Sequence, residues 1–237
     1  MRLSGLSAAL FVAASLRACT AYEYEHEFWL RVDGSGSVRV TGRPELWGAF
    51  KGLGPAGAPE TSLREAARTL FEASGLRVRR VALTRRRGRP YLLVAADFAD
   101  VSKIGGTPAF PDLRISLVRR DDRLVLGGTW ARPPGAPLPG ALETDGLMAI
   151  RFHLPSKIRD HKNATLGVER GNIVGWRQEV TAALEGRPLD FGAVLDPRSI
   201  LWSTVGLFGA AILGALALLA LFFTLVVRRG RRGVSGS

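Results

Sequence analysis

Residues 22–32 read Tyr-Glu-Tyr-Glu-His-Glu-Phe-Trp-Leu-Arg-Val and open in strict alternation. Tyr22, Tyr24, His26 and Phe28 fall on one face, and Glu23, Glu25 and Glu27 on the other. A period of two is the signature of a strand. Asp33-Gly34-Ser35-Gly36 follows as a turn, and residues 37–41 (SVRVT) alternate again. Together they predict a β-hairpin. The glycines are turn residues here and not a phosphate cradle, because neither a helix nor a lysine follows them at the required place.

Working outward, residues 44–50 (PELWGAF) suit one short helical turn and 52–59 a loop. The clearest helix is 62–74. Ser62 and Glu65 have capping-box spacing, and Gly75 stands at the C′ position. Leu63, Ala66, Ala67, Leu70 and Phe71 form one apolar stripe, while Arg64, Glu65, Arg68 and Glu72 point outward. The stripe predicts packing on a sheet, with any hydrophobic groove between helix and sheet. Strands are expected at 76–84 and 91–98, around the tip Arg85-Arg86-Arg87-Gly88-Arg89. Four arginines in five residues suit bidentate contact with anionic lipid phosphates, against the simpler account of a solvated tip. A further hairpin, 113–118 with 124–130, turns at Asp121-Asp122. Residues 133–146 (PPGAPLPGALETDG) break structure and suggest a sub-boundary. Strands follow at 147–154 and 171–180, with 157–167 irregular and 187–197 a connector. The fold class expected is α+β: a mainly antiparallel sheet, one long amphipathic helix packed on it, and a C-terminal transmembrane helix.

That last helix is expected over 199–227, because residues 201–227 carry no charged side chain. They would rise about 40 Å as a helix, against about 30 Å of hydrocarbon. Trp202 would mark the outer interface, and Arg228, Arg229, Arg231 and Arg232 a cytoplasmic tail over 228–237. This makes the protein single-pass in the cell membrane, its bulk extracytoplasmic. Gly206, Gly209 and Gly214 offer a face for pairing with a partner helix.

The N-terminus has Arg2, an uncharged run over 3–16, and then Leu16-Arg17-Ala18-Cys19. This is the layout of a signal peptide over 1–18 ending in a lipoprotein-type cleavage box, which would leave a lipid on Cys19. Arg17 departs from the small residue usual there, and a competing cleavage lies after Ala21. Cys19 is the single cysteine of the chain, so no intrachain disulfide and no multi-cysteine zinc site can form. The extracytoplasmic domain is expected over 19–198.

The formal charge is +12, from 33 Lys+Arg against 21 Asp+Glu. Half of that surplus sits on Arg2, Arg17 and the four arginines of the C-terminal tail. The export signal and the lack of any nucleic-acid-binding motif argue against a nucleic-acid partner. His26, His153 and His161 lie in separate elements without ligand spacing, so no metal and no cofactor is expected. The string GSGSV has no nucleophile elbow around it, and no catalytic residue is proposed. Asn163-Ala164-Thr165 matches a glycosylation sequon that an exported bacterial protein would leave unused.

Several of these segments resemble the LppM-like family of bacterial envelope lipoproteins and membrane-anchored proteins. They are the lipobox-like Cys19, the Asp33–Gly36 turn after a first strand, and Leu154-Pro155-Ser156-Lys157-Ile158. His161, Asn163 and Gly171-Asn172-Ile173-Val174-Gly175-Trp176 follow, and then the apolar C-terminal segment. The resemblance implies a β-rich α+β ectodomain with a binding or interaction role at the envelope, and no catalytic residue. The expected function is a non-enzymatic envelope module for a protein or glycolipid ligand. The alternatives are an envelope hydrolase, or an accessory subunit acting through its transmembrane helix.

Overall fold

The computed structural model describes residues 22–54, 58–132, 146–196 and 200–233. Its elements run β1 (Tyr24–Leu30), β2 (Gly36–Gly42), α1 (Pro44–Lys51), α2 (Glu60–Ala73), β3 (Arg77–Arg86), β4 (Arg89–Phe98), β5 (Leu113–Arg120) and β6 (Arg123–Trp130). Then come β7 (Leu147–His153), β8 (Ile158–His161), β9 (Val168–Glu169), β10 (Ile173–Glu179), α3 (Val180–Leu184), β11 (Leu189–Leu195) and α4 (Ile200–Gly233).

Two sheets form where one was expected. The larger has seven strands in the order β3-β4-β2-β1-β7-β10-β9, and the smaller has four, β5-β6-β11-β8. All pairings are antiparallel except β1 with β7, which run parallel with His26 opposite Ile150. The long segment between β2 and β7, which carries α1, α2 and four strands, makes that parallel return possible.

The alternation of β1 is realised as read: Tyr24, His26, Phe28 and Leu30 are buried, and the glutamates face the other side. Phe28 stacks on Phe152 at 5.0 Å, and Phe152 meets Phe191 of the smaller sheet at 5.2 Å. Phe50 of α1 meets Trp130 of β6 at 4.9 Å. One hydrophobic cluster therefore runs through both sheets and the helices.

The turn expected at 44–50 is a full helix, opened by Pro44 and closed by left-handed Gly52. Helix α2 begins at Glu60, before the anticipated cap. Pro59 precedes it without a side-chain cap bond, so Ser62 and Glu65 lie inside the helix. Its buried face is Leu63, Ala67 and Phe71, with Ala66 exposed. The connector expected at 187–197 is strand β11, a central strand of the smaller sheet. Leu189, Phe191, Ala193 and Leu195 are buried in alternation, a period-two signal partly hidden by Gly192.

The transmembrane expectation over 199–227 is overturned: among the described residues no helix is long and apolar enough to cross a membrane. The side chains of Trp202, Arg228, Arg229, Arg231 and Arg232 lie outside the described residues, as do residues 1–21 with Cys19 and most of the sub-boundary at 133–146.

Candidate functional site

Strands β3 and β4 stay paired to their very end, where Arg86 faces Arg89 across a two-residue turn. Arg87 and Gly88 both have positive φ, 50° and 79°, as the tight hairpin turn that follows strand twist requires. The arginines predicted to meet lipid do different things here. The Arg86 guanidinium lies over the Tyr91 ring at 5.2 Å, and Arg89 reaches Glu23 at 3.7 Å. Arg85 donates only to the Gly88 carbonyl, at 3.5 Å. Arg85 and Arg87 are exposed and have no acidic partner among the described residues.

Glu23 also pairs with Arg43 at 3.5 Å, and Arg43 with Glu45 at 3.4 Å. The charged tip is thus tied to the point where the described chain enters β1. Burial, then the charge of Glu23, raises the pKa of the Tyr91 hydroxyl and keeps it protonated beneath Arg86.

The space between α2 and the sheet is no apolar groove. Leu63, Ala67 and Phe71 of α2 are buried there, and a cleft of about 230 Å³ lies beside them, lined by the exposed Thr61, Arg64, Glu65 and Arg68 of α2 with Val81 of β3. A wider cleft of about 550 Å³ lies at the far end of the same hairpin, with Arg31, Arg77, Arg79 and Asp97 on its walls. Asp97 is already held by Arg77 at 2.7 Å and Arg79 at 3.0 Å.

The histidines do not converge. His26 is wholly buried, His153 Nε2 lies 2.8 Å from Glu27, and His161 Nδ1 accepts from the Ala164 amide. Among the described residues no three His, Cys, Asp or Glu side chains are placed to hold a metal ion. Gly206, Gly209 and Gly214 are exposed on α4, with open space beside each.

A constellation with no signal in the sequence sits in the core. Lys51, the last residue of α1, and Asp112, just before β5, are both fully buried, with Nζ 3.7 Å from Oδ1. Lys51 Nζ also donates to the Ala109 carbonyl and lies 4.6 Å from the Phe110 ring centroid. Around the pair, the Tyr24 hydroxyl, both nitrogens of His26, both oxygens of Asp112 and the Trp130 indole nitrogen lack hydrogen-bond partners. Burial, tempered by Asp112, pulls the Lys51 amine down. Burial, tempered by Lys51, pushes the Asp112 carboxyl up. A lysine at the end of an amphipathic turn and an aspartate in a loop both read as solvated residues. Only the closure of the two sheets buries them together.

No protein family and no curated protein matches the sequence. Among solved structures the chain is similar to the folded domain of LppM from Mycobacterium tuberculosis, determined by NMR. The two are 15% identical with a TM-score of 0.39, over 73% of this chain and 88% of that one.

Proposed function

We propose that this chain is an extracytoplasmic envelope protein of bacterial type, held to the membrane by a lipid on Cys19, that works as a non-enzymatic binding module. The tip of the β3–β4 hairpin is its contact with anionic headgroups. The observation that carries this is the Arg89–Glu23 pair at 3.7 Å. Glu23 stands four residues after Cys19, a reach of at most about 14 Å of extended chain. A lipid on Cys19 therefore brings Arg85 and Arg87 to the bilayer surface. One acyl anchor alone holds a protein marginally, and a basic patch beside it supplies the second attachment. Arg85 and Arg87, unengaged by acids, are the residues available to phosphate oxygens.

The test uses full-length chain carrying Cys19→Ser, so that no lipid contributes. Partition is measured on vesicles of phosphatidylcholine alone and of phosphatidylcholine with phosphatidylglycerol. Binding should favour the anionic vesicles and weaken with salt. Reversing Arg85 and Arg87 to Glu should reduce it at least about tenfold, at about 1 kcal/mol per basic residue near the surface. Equal partition onto both vesicle types would end this reading.

A further inference from the structure

We propose that Lys51 and Asp112 close an intramolecular isopeptide bond, from Lys51 Nζ to Asp112 Cγ, which ties the end of α1 to the start of β5. The two groups already touch, with Nζ 3.7 Å from Oδ1 and both side chains at 0% exposure. As an ion pair they are poorly served. A buried pair is tolerable only when its remaining lone pairs and protons find partners, yet neither Asp112 oxygen has a hydrogen bond of proper geometry. Forming the amide removes both charges and one of those oxygens.

The surroundings favour the reactive forms. Burial moves the lysine toward neutral amine and the aspartate toward neutral acid, which are the nucleophile and the electrophile of amide formation. Phe110 covers Nζ at 4.6 Å and keeps bulk water from it. His26 and Tyr24 are the other titratable groups facing the pair, through the charges of Lys51 and Asp112 respectively.

The step balances without a co-reactant. The Nζ lone pair forms the bond to Cγ, and the bond from Cγ to one carboxyl oxygen breaks. That oxygen leaves as hydroxide and takes one proton from the attacking nitrogen, so the products are one amide and one water. The proton that stays on Nζ continues to donate to the Ala109 carbonyl, its partner already. Two groups held in contact react as though at very high concentration, and this is what the fold contributes.

The link would close the chain from 51 to 112 and join the helical layer to the smaller sheet. With Cys19 the single cysteine, the chain has no disulfide with which to do this. A cross-link of that kind acts on the unfolded chain, whatever its chemistry.

A tryptic peptide map of the denatured full-length protein decides the matter. Trypsin spares Arg43, because Pro44 follows, and cannot cut at an acylated Lys51. The expected product is a branched peptide joining residues 40–64 to residues 104–114, lighter than the two strands by one water, about 18 Da. Asp112→Asn should give the same branched mass by loss of ammonia, and Lys51→Arg should abolish it. Recovery of linear peptides 40–51 and 104–114 from folded wild-type protein would overturn the proposal, and needs no variant to fold.

Discussion

His26 occupies an inward position of β1 with both ring nitrogens unpartnered and no solvent contact. Burial holds its pKa well below the ordinary histidine value. In the unfolded chain the ring takes a proton near pH 6.5, as any exposed histidine does. Below that pH the unfolded state binds a proton that the folded state refuses. Stability is therefore fully present above about pH 6.5 and falls on acidification, by up to about 1.4 kcal/mol per pH unit. His26→Phe, close in size and without a proton to bind, should remove this slope between about pH 6.5 and pH 5. Denaturant midpoints measured across that range check it: an unchanged slope would mean that His26 charges freely in the folded protein. The alternation of residues 22–28 put His26 on a strand face with Tyr24 and Phe28. It could not show that this face is the buried one, nor that Lys51 would stand near it.

The smaller sheet carries a glycine pair, Gly127 and Gly128, in the middle of β6. A Cβ at Gly128 would meet the Arg114 carbonyl oxygen at 2.3 Å and the Phe191 ring at 2.4 Å. A Cβ at Gly127 would meet nothing within 4 Å. Successive strand residues face opposite sides, so one glycine lies under Phe191 and its neighbour toward open space. Gly128→Ala should cost about 1–3 kcal/mol by displacing Phe191 and β5. Gly127→Ala should be neutral or slightly stabilising, since the unfolded chain loses freedom and nothing is crowded. Thermal unfolding of the two variants side by side distinguishes them, and equal losses would contradict this packing. Both glycines look alike in the string VLGGTW. Their difference belongs to β11, whose Phe191 stands opposite Gly128. Helix α2 was legible from its stripe, but its first turn was not. Pro59 sets the start by its fixed backbone, and Ser62 is then too far inside to cap.

Across the whole molecule, the seven-stranded and four-stranded sheets share one hydrophobic cluster. Trp47 of α1, Trp130 of β6 and Trp176 of β10 are all fully buried in it. Neither sheet can lose its partner without exposing that cluster, so they should unfold as one unit. Tryptophan fluorescence and far-ultraviolet circular dichroism should give coincident urea transitions. Two separated transitions would show that the sheets are independent domains.

By itself the sequence determined the local periods: the β1–β2 hairpin, the apolar stripe of α2, and the arginine tip between β3 and β4. These depend on residues a few positions apart, which backbone geometry makes neighbours whatever the rest of the chain does. Tertiary structure alone decided the division into two sheets and the parallel seating of β7 against β1. It also decided the tie between Arg89 and Glu23, and the meeting of Lys51 with Asp112 beneath Phe110. Those pairings join segments far apart in the chain, and it is the burial of their shared apolar face, not any local preference, that brings them together.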